Sequence, residues 1–361
     1  MIHIFDMEVT GQTHQPFNSA LLNILRLAHP DRDLIFHGSA SHIECLIGAG
    51  LPDRCTTVEE QVKPVSDAAY AEAVAGGVDG SNIVLLGAQA RHLRALAADK
   101  RLRAGPPIDA ITHSELAQPA HWRSRNPFHR RKDMFGTLKR LDMKNLRLVV
   151  LEPAIVDVLQ NTVHPRSPVA VLPHPVPALV AHAMERPVPE RPRISFIGGT
   201  FVVKGFAHFA DAARAGRDRF DFAVVGARAD KYDGKDDALF AVPPAIERFD
   251  RPSFEAAVCV SDLICLPLDA KRYSLAASGT LLDCVAYGIP VLTTMTAVTR
   301  DWQRRYGRFG YLVERGEDMA GFIASLTPDQ LQGDAAEFKH TLAKIAADRT
   351  VEALARRFTL S

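Results

Sequence analysis

Paired cysteines, long apolar runs and a strong charge of one sign are all missing from this sequence, and each absence removes a class of protein. The five cysteines (Cys45, Cys55, Cys259, Cys265, Cys284) are scattered in apolar contexts, with no C-x-x-C pair among them. A disulfide-stapled secreted scaffold is thereby excluded, and reduced, buried thiols in a cytoplasmic protein are expected. No apolar run approaches the roughly 20 residues that span a bilayer, and the sequence enters a strand-like Ile2–Phe5 directly, so no leader is expected. A net charge of +1 argues for neither nucleic acid nor a strongly acidic partner.

Signature motifs are scarce too. G-x-x-x-x-G-K-[ST] does not occur, and no G-x-G-x-x-G follows the first strand, which argues against a Walker loop and a nicotinamide dinucleotide. There is no H-E-x-x-H and no His/Cys cluster at ligand spacing, so no metal site is expected. Asp31-Arg32-Asp33 is formally D-x-D, but it precedes its strand and reads as a solvated turn.

What is present is alternation. Of the 361 residues 47% are hydrophobic, an ordinary share for a globular protein and more chain than one core organises, so two domains are expected. Short strand-like runs such as "IHIF", "DLIFHG", "NIVLLG" and "LRLVVLE" alternate with helical ones, which favours parallel sheets covered by helices. A proline-rich stretch, "PALVAHAMERPVPERPR", interrupts the pattern, which then restarts at "RISFIGG". The expected class is α/β, two doubly wound Rossmann-like domains facing across a cleft: 1–178, a linker over 179–193, 194–335, and a C-terminal helix within 336–361. Ligands of such sheets sit beyond the C-terminal strand ends. The loops that matter are then Glu8–Gln15, His113–Glu115, Gly198–Gly205, Gly226–Arg228 and Tyr273–Thr280.

Three of these loops suit an anion. "FIGGTFVVKGF" (196–206) is a strand, a glycine turn, a lysine and a helix: Gly198 and Gly199 let backbone amides approach a ligand, and Lys204 offers a point charge. "FAVVGARAD" repeats the device with Gly226 and Arg228. In "YSLAASGTLLDCVAYGIPVLTT" (273–294), Ser278, Gly279 and Thr280 precede an apolar helical run that stops at Gly288. A helix start carries amides without partners and the positive end of the helix dipole. Each loop also has a plain structural use, as an ordinary turn or cap.

The order of these elements resembles that of GT-B glycosyltransferases, especially retaining enzymes related to glycosyltransferase family 4. In that family the second domain opens with a strand, a glycine, an arginine and a lysine-glycine pair. Gly198, Lys204 and Gly205 match that pattern, and Gly199 stands where the arginine would be. The donor-site helix of the family carries E-x7-E before a G-x-P turn. Here Asp283 takes the second position, Leu275 the first, and Gly288 and Pro290 the turn. "CVSDLICLPL" (259–268) and "GYLVERGEDMAGFIASL" (310–326) resemble the flanking segments, so the likeness covers about 190–330 well and the first half by layout.

The resemblance implies transfer of a sugar from a nucleotide-diphosphate sugar to a glycan or lipid-linked saccharide, without cofactor or metal. Ser278, Gly279, Thr280 and Lys204 would hold the diphosphate, with Gly11, Gly198, Gly199, Gly226, Arg228 and Tyr273 around the donor. Asp283 would engage a ribose or sugar hydroxyl. On the acceptor side, Glu8 ranks first as a base, with His14 and His113 next, the histidines alternatively orienting the donor. Residues 121–147 hold nine Lys/Arg against two Asp/Glu, with Trp122, Phe128 and Phe135 interleaved. They suit peripheral contact with an anionic membrane, at the inner face for a cytoplasmic protein, and nucleic acid is not expected. Two alternatives stay open: a sugar-nucleotide epimerase on the same fold, and a catalytically silent scaffold, which the losses at 199 and 275 favour.

Overall fold

A computed structural model describes residues 1–50, 54–58, 66–76, 81–117, 132–177 and 190–361. Most of the expected linker (178–189) and part of the basic segment, with Trp122 and Phe128 (118–131), lie outside the described residues. The chain divides into two units: Met1–Pro175 with Ser274–Ala277 and Arg349–Ser361, and Val176–Tyr273 with Ser278–Asp348.

The first unit is built on seven parallel strands, β1 (Ile2–Asp6), β2 (Leu34–Ser39), β3 (Arg54–Val58), β4 (Asn82–Leu86), β5 (Ile108–Thr112), β6 (Leu146–Val150) and β7 (Val169–Val171). Their order is β3-β2-β1-β4-β5-β6-β7. All five residues of β1, Ile-His-Ile-Phe-Asp, are buried, as in a strand covered on both faces. Ile4 pairs with Phe36 on one side and Val84 on the other. The helix Gln15–Ala28 lays Phe17, Leu21, Leu22 and Leu25 onto Ile2, Ile4, Leu34 and Phe36 at the three-to-four spacing of an amphipathic face. The order reverses between β1 and β4, so the ligand crevice of this sheet lies outside the ends of those two strands.

The second unit has five parallel strands, β8 (Arg193–Ile197), β9 (Asp221–Val225), β10 (Leu263–Leu266), β11 (Val291–Thr294) and β12 (Gly310–Val313), ordered β12-β11-β10-β8-β9. Phe196, Phe206, Phe209, Phe222 and Phe240 make its core largely aromatic. Here the reversal falls between β8 and β10. The helix Gly279–Tyr287 starts at Ser278, whose Oγ accepts from the Leu281 amide (3.3 Å), and stops at Gly288 in the left-handed conformation (φ 62°).

The C-terminal helix departs from expectation. It begins earlier, at Pro328 behind the capping Thr327, ends at Ala347, and is followed by a separate short helix, Val351–Ala355, capped by Thr350. Arg349 lies in the break and makes a two-pronged bond to Glu152 (2.8 and 2.9 Å) inside the first unit, where Leu354 and Phe358 also join the core. Cys45 and Cys259 are half-buried, Cys265 and Cys284 buried, and all four are free. Among the described residues no helix is long and apolar enough to cross a membrane.

Candidate functional site

In the second unit the chain leaves β8 through Gly198, whose φ of +112° only glycine adopts readily. A Cβ at that position would sit 2.5 Å from the Lys204 ammonium, because the lysine folds back over the bare glycine. Gly226, at the end of β9, packs so close on the Gly198 carbonyl that any side chain would collide with it. Gly205 opens the helix Phe206–Gly216 at φ +73° and abuts the Pro267 carbonyl beyond β10. Two of the expected glycines therefore bring backbones of neighbouring loops together, and Gly199 lies under the Phe201 ring.

Lys204 is half-buried, and among the described residues no carboxylate comes within ion-pair distance of it. Burial pushes its ammonium below the usual lysine range, against the pull of the Asp283 charge. Asp283, one turn into the helix Gly279–Tyr287, is pushed up to about 6 by burial, opposed by Arg251 and Lys204. Arg251 lies 3.5 Å from the Asp283 carboxylate, bonds Glu255 at 2.6 Å, and donates to the Tyr287 hydroxyl at 2.7 Å. Beside it, Ser278 Oγ approaches Thr280 Oγ1 at 3.1 Å, and the Gly279 and Thr280 amides have no intrahelical partner. Gly198, Gly226, Lys204 and Asp283 thus share one neighbourhood. Arg228 is committed to its own loop, paired with Asp237 and lying over the Tyr232 ring. Tyr273 ends the short helix Ala270–Tyr273, half-buried, its phenol pushed up by burial.

In the first unit Glu8 lies beyond β1, where the strand order reverses. Its carboxylate accepts from Gln89 Nε2 (2.6 Å) and from Arg91, with His92 Nε2 3.1 Å away. Burial pushes this carboxyl up, but His92 and Arg91 together outweigh that and hold it below the usual range. Two residues earlier Asp6, 2% exposed, ends the strand. Burial, with the charges of Glu115 and Glu8, pushes it up to about 7 although Asn18 donates to it. Glu115, also pushed up by burial, accepts from the His113 and Ser114 amides at 2.6 and 3.1 Å.

His14 and His113 come together. Their rings stack at 4.8 Å, with Phe17 edge-on to His113 (4.4 Å) and His174 5.0 Å from it. All three imidazoles are pushed down by burial first and by each other's or neighbouring charges second, His174 to about 4, so they are neutral at pH 7. His113 Nε2 is buried without a hydrogen-bond partner among the described residues. The Gly11–His14 loop is left-handed at both ends, φ 55° at Gly11 and 58° at His14, the latter strained for a non-glycine residue. Asp6, Asn18, His42, His174 and Arg251 escaped the reading of the sequence. Only Asp6 carried a signal, a carboxylate ending the first strand.

The sequence matches no protein-family model and no curated protein. Solved structures do resemble it. The sucrose-phosphate synthase of Thermosynechococcus elongatus is 14% identical with a TM-score of 0.66, covering 99% of this chain and 96% of its own. A structure described as trehalose-6-phosphate from E. coli bound with UDP-2-fluoro glucose is 11% identical, TM-score 0.62, with both chains fully covered. The UDP-forming alpha,alpha-trehalose-phosphate synthase of Burkholderia vietnamiensis is 13% identical, TM-score 0.61, over 99% and 97%. At these identities the likeness establishes the fold: two parallel α/β units of the GT-B glycosyltransferase type.

Proposed function

We propose that this protein is a glycosyltransferase that moves a sugar from a nucleotide-diphosphate donor to a glycan or lipid-linked saccharide. The observation that carries the reading is Lys204, a half-buried ammonium laid over Gly198 with no carboxylate in ion-pair distance among the described residues. An unpaired buried cation is costly unless something else supplies the anion. A diphosphate does so, with the free amides of Gly279 and Thr280 and the Ser278 hydroxyl as further donors. Gly198 makes room for the lysine, Gly199 sits beneath Phe201, Gly226 lets the loops after β8 and β9 meet, Arg228 orders the second of these loops, and Tyr273 is assigned to the donor side with them. As the donor bond breaks, negative charge collects on the departing diphosphate, where these groups are already in place. Asp283, braced by Arg251, takes a ribose or sugar hydroxyl.

The acceptor side is assigned to the first unit. Glu8, kept anionic by Arg91 and His92, accepts the hydrogen bond of an incoming hydroxyl. Gly11 shapes the adjoining loop, and the neutral rings of His14 and His113 offer nitrogens that accept or donate without adding charge. The solved relative carrying UDP-2-fluoro glucose supports a nucleotide sugar as ligand class. The scaffold alternative draws its support from the losses at Gly199 and Leu275.

Titration calorimetry with UDP, GDP, ADP and dTDP decides between them. Micromolar binding of one nucleotide is the expected result. A folded sample that binds none would sink the transferase reading in favour of the scaffold.

A further inference from the structure

The first unit contains a directed chain of buried polar groups that no step above uses. Asn18 Nδ2 donates one hydrogen to Asp6 Oδ2 (2.7 Å) and the other to His42 Nε2 (2.8 Å). His42 Nδ1 lies 2.7 Å from the Gly11 carbonyl. A carbonyl only accepts, so Nδ1 carries the proton and Nε2 is the acceptor, which leaves one consistent tautomer. Asp6, Asn18 and His42 are 2%, 1% and 0% exposed, so the two bonds among them are shielded from water, and the bond to Gly11 is partly so.

The chain ends on the loop that bears His14. The start of the helix Ala40–Gly48 pins that loop at three backbone atoms: Ser39 Oγ donates to the Val9 carbonyl (2.8 Å), Ser41 Oγ accepts from the Gly11 amide (3.2 Å), and His42 takes the Gly11 carbonyl. Three residues later His14 is held at φ 58°, with its ring on His113. A strained backbone of this kind persists only where its surroundings over-determine it. The His14 side chain makes no capping hydrogen bond to the helix it precedes, whereas the loop before it is tied at both the amide and the carbonyl of Gly11.

We propose that His42, oriented by Asn18 and Asp6, is a positioning residue that holds the Gly11–His14 loop so that the His14 ring faces the ligand edge of the first sheet. The functional part of this statement rests on the transferase reading; the positioning part does not. His42 touches no ligand and acts through the Gly11 carbonyl.

Two substitutions separate the arms of the imidazole. His42→Asn keeps a donor near the Nδ1 position and loses the bond from Asn18. His42→Gln reaches the Nε2 position and loses the bond to Gly11. The readout is the ring signal of His14 by NMR in histidine-labelled whole protein, followed through a pH titration. In the wild type His14 titrates below the ordinary imidazole range, held down by burial and by His42, and its ring is shifted by the stack on His113. His174 flanks His113, so its signal serves as an internal control.

Expected is loss of the ring shift in His42→Gln and its preservation in His42→Asn. Both variants lose the His42 contribution to the His14 midpoint, so the midpoint should rise further in His42→Gln, where the ring also leaves its buried stack, than in His42→Asn. A folded Gln variant with wild-type His14 behaviour overturns the proposal. So does release of His14 in both variants, which would assign His42 to packing alone. Once a donor is known, the Gln variant should lose about 100-fold in kcat, the scale of a small misplacement of a reacting group, at unchanged donor KM. If no nucleotide binds, the transferase reading fails while the NMR result stands independently.

Discussion

Replacing Lys204 with methionine removes one positive charge beyond β8 and keeps an unbranched side chain of similar length. A structural lysine and a ligand-binding lysine respond to this change with opposite signs. The ammonium lies over Gly198, half-buried, with no carboxylate within ion-pair distance among the described residues, so apo protein gains little from it. Burial holds its folded pKa below the unfolded value. A lowered lysine pKa means that the charged form costs stability at every pH below the folded pKa. The cost fades as pH rises through that value towards the unfolded one, about 10.4. Below the folded pKa the cost is fully present, so there Lys204→Met should melt at the same temperature as wild type or higher.

Binding should move the other way. A hydrogen bond to a charged group contributes about 1.5–3 kcal/mol, which corresponds to a nucleoside diphosphate affinity lower by about 10- to 150-fold. Calorimetry with the preferred diphosphate at pH 7, beside a thermal melt of each apo protein, measures both. Gly198→Ala is the companion: its Cβ would fall 2.5 Å from the ammonium at a φ of +112°, so it should lose affinity and stability together. Wild-type affinity in Lys204→Met, or a melting point several degrees lower, would refute the assignment of Lys204 to an anion site.

Other substitutions test the surroundings. Gly279→Ala meets nothing within 4 Å and has no positive φ, so stability should hold or rise by up to about 1 kcal/mol, while diphosphate affinity falls if the helix start is used. Asp6→Asn removes a carboxyl raised to about 7, whose ionised form costs stability above that pH and costs nothing below the unfolded value. Urea melts should show the variant more stable on the order of 3 kcal/mol above pH 7, with the gap closing towards pH 4; parallel curves would refute the burial argument. Glu152→Gln leaves the 3%-exposed Arg349 charge without its partner, and denaturant melts should show a loss of about 3–5 kcal/mol, lessened when Arg349→Met is added.

Features set by neighbours along the chain were legible in the sequence. Ser278 capping and Gly288 ending one helix, the glycine-lysine turn after β8, and the alternation behind two parallel sheets all depend on spacing within a few residues. The use of Gly226 was not legible, because the carbonyl it makes room for belongs to a residue 28 positions earlier in sequence. Asn18 and His42 read as ordinary helix positions. Their bond exists only because the parallel pairing of β1 and β2 brings the helices that follow them side by side. Arg251 carried no signal in the sequence, and only the fold shows it against Asp283.

The two acid positions of the donor-site pattern that this sequence resembles have different physical standing. Leu275, where the first glutamate would be, lies in Ser274–Ala277, which groups with the first unit; it is 6% exposed, and Ala277 packs into that unit's core. An ionised carboxylate there would be buried, at a cost of several kcal/mol unless a countercharge met it, so leucine at 275 fits a position given over to packing. Asp283 stayed acidic at comparable burial because Arg251, itself anchored by Glu255 and Tyr287, supplies the countercharge. The pattern's second acid is therefore kept together with a brace of its own, and its first is replaced by a buried apolar side chain. Under the transferase reading, sugar or ribose recognition in the second unit then falls on Asp283 alone among the two positions, and its carboxylate is oriented by Arg251 before any ligand arrives.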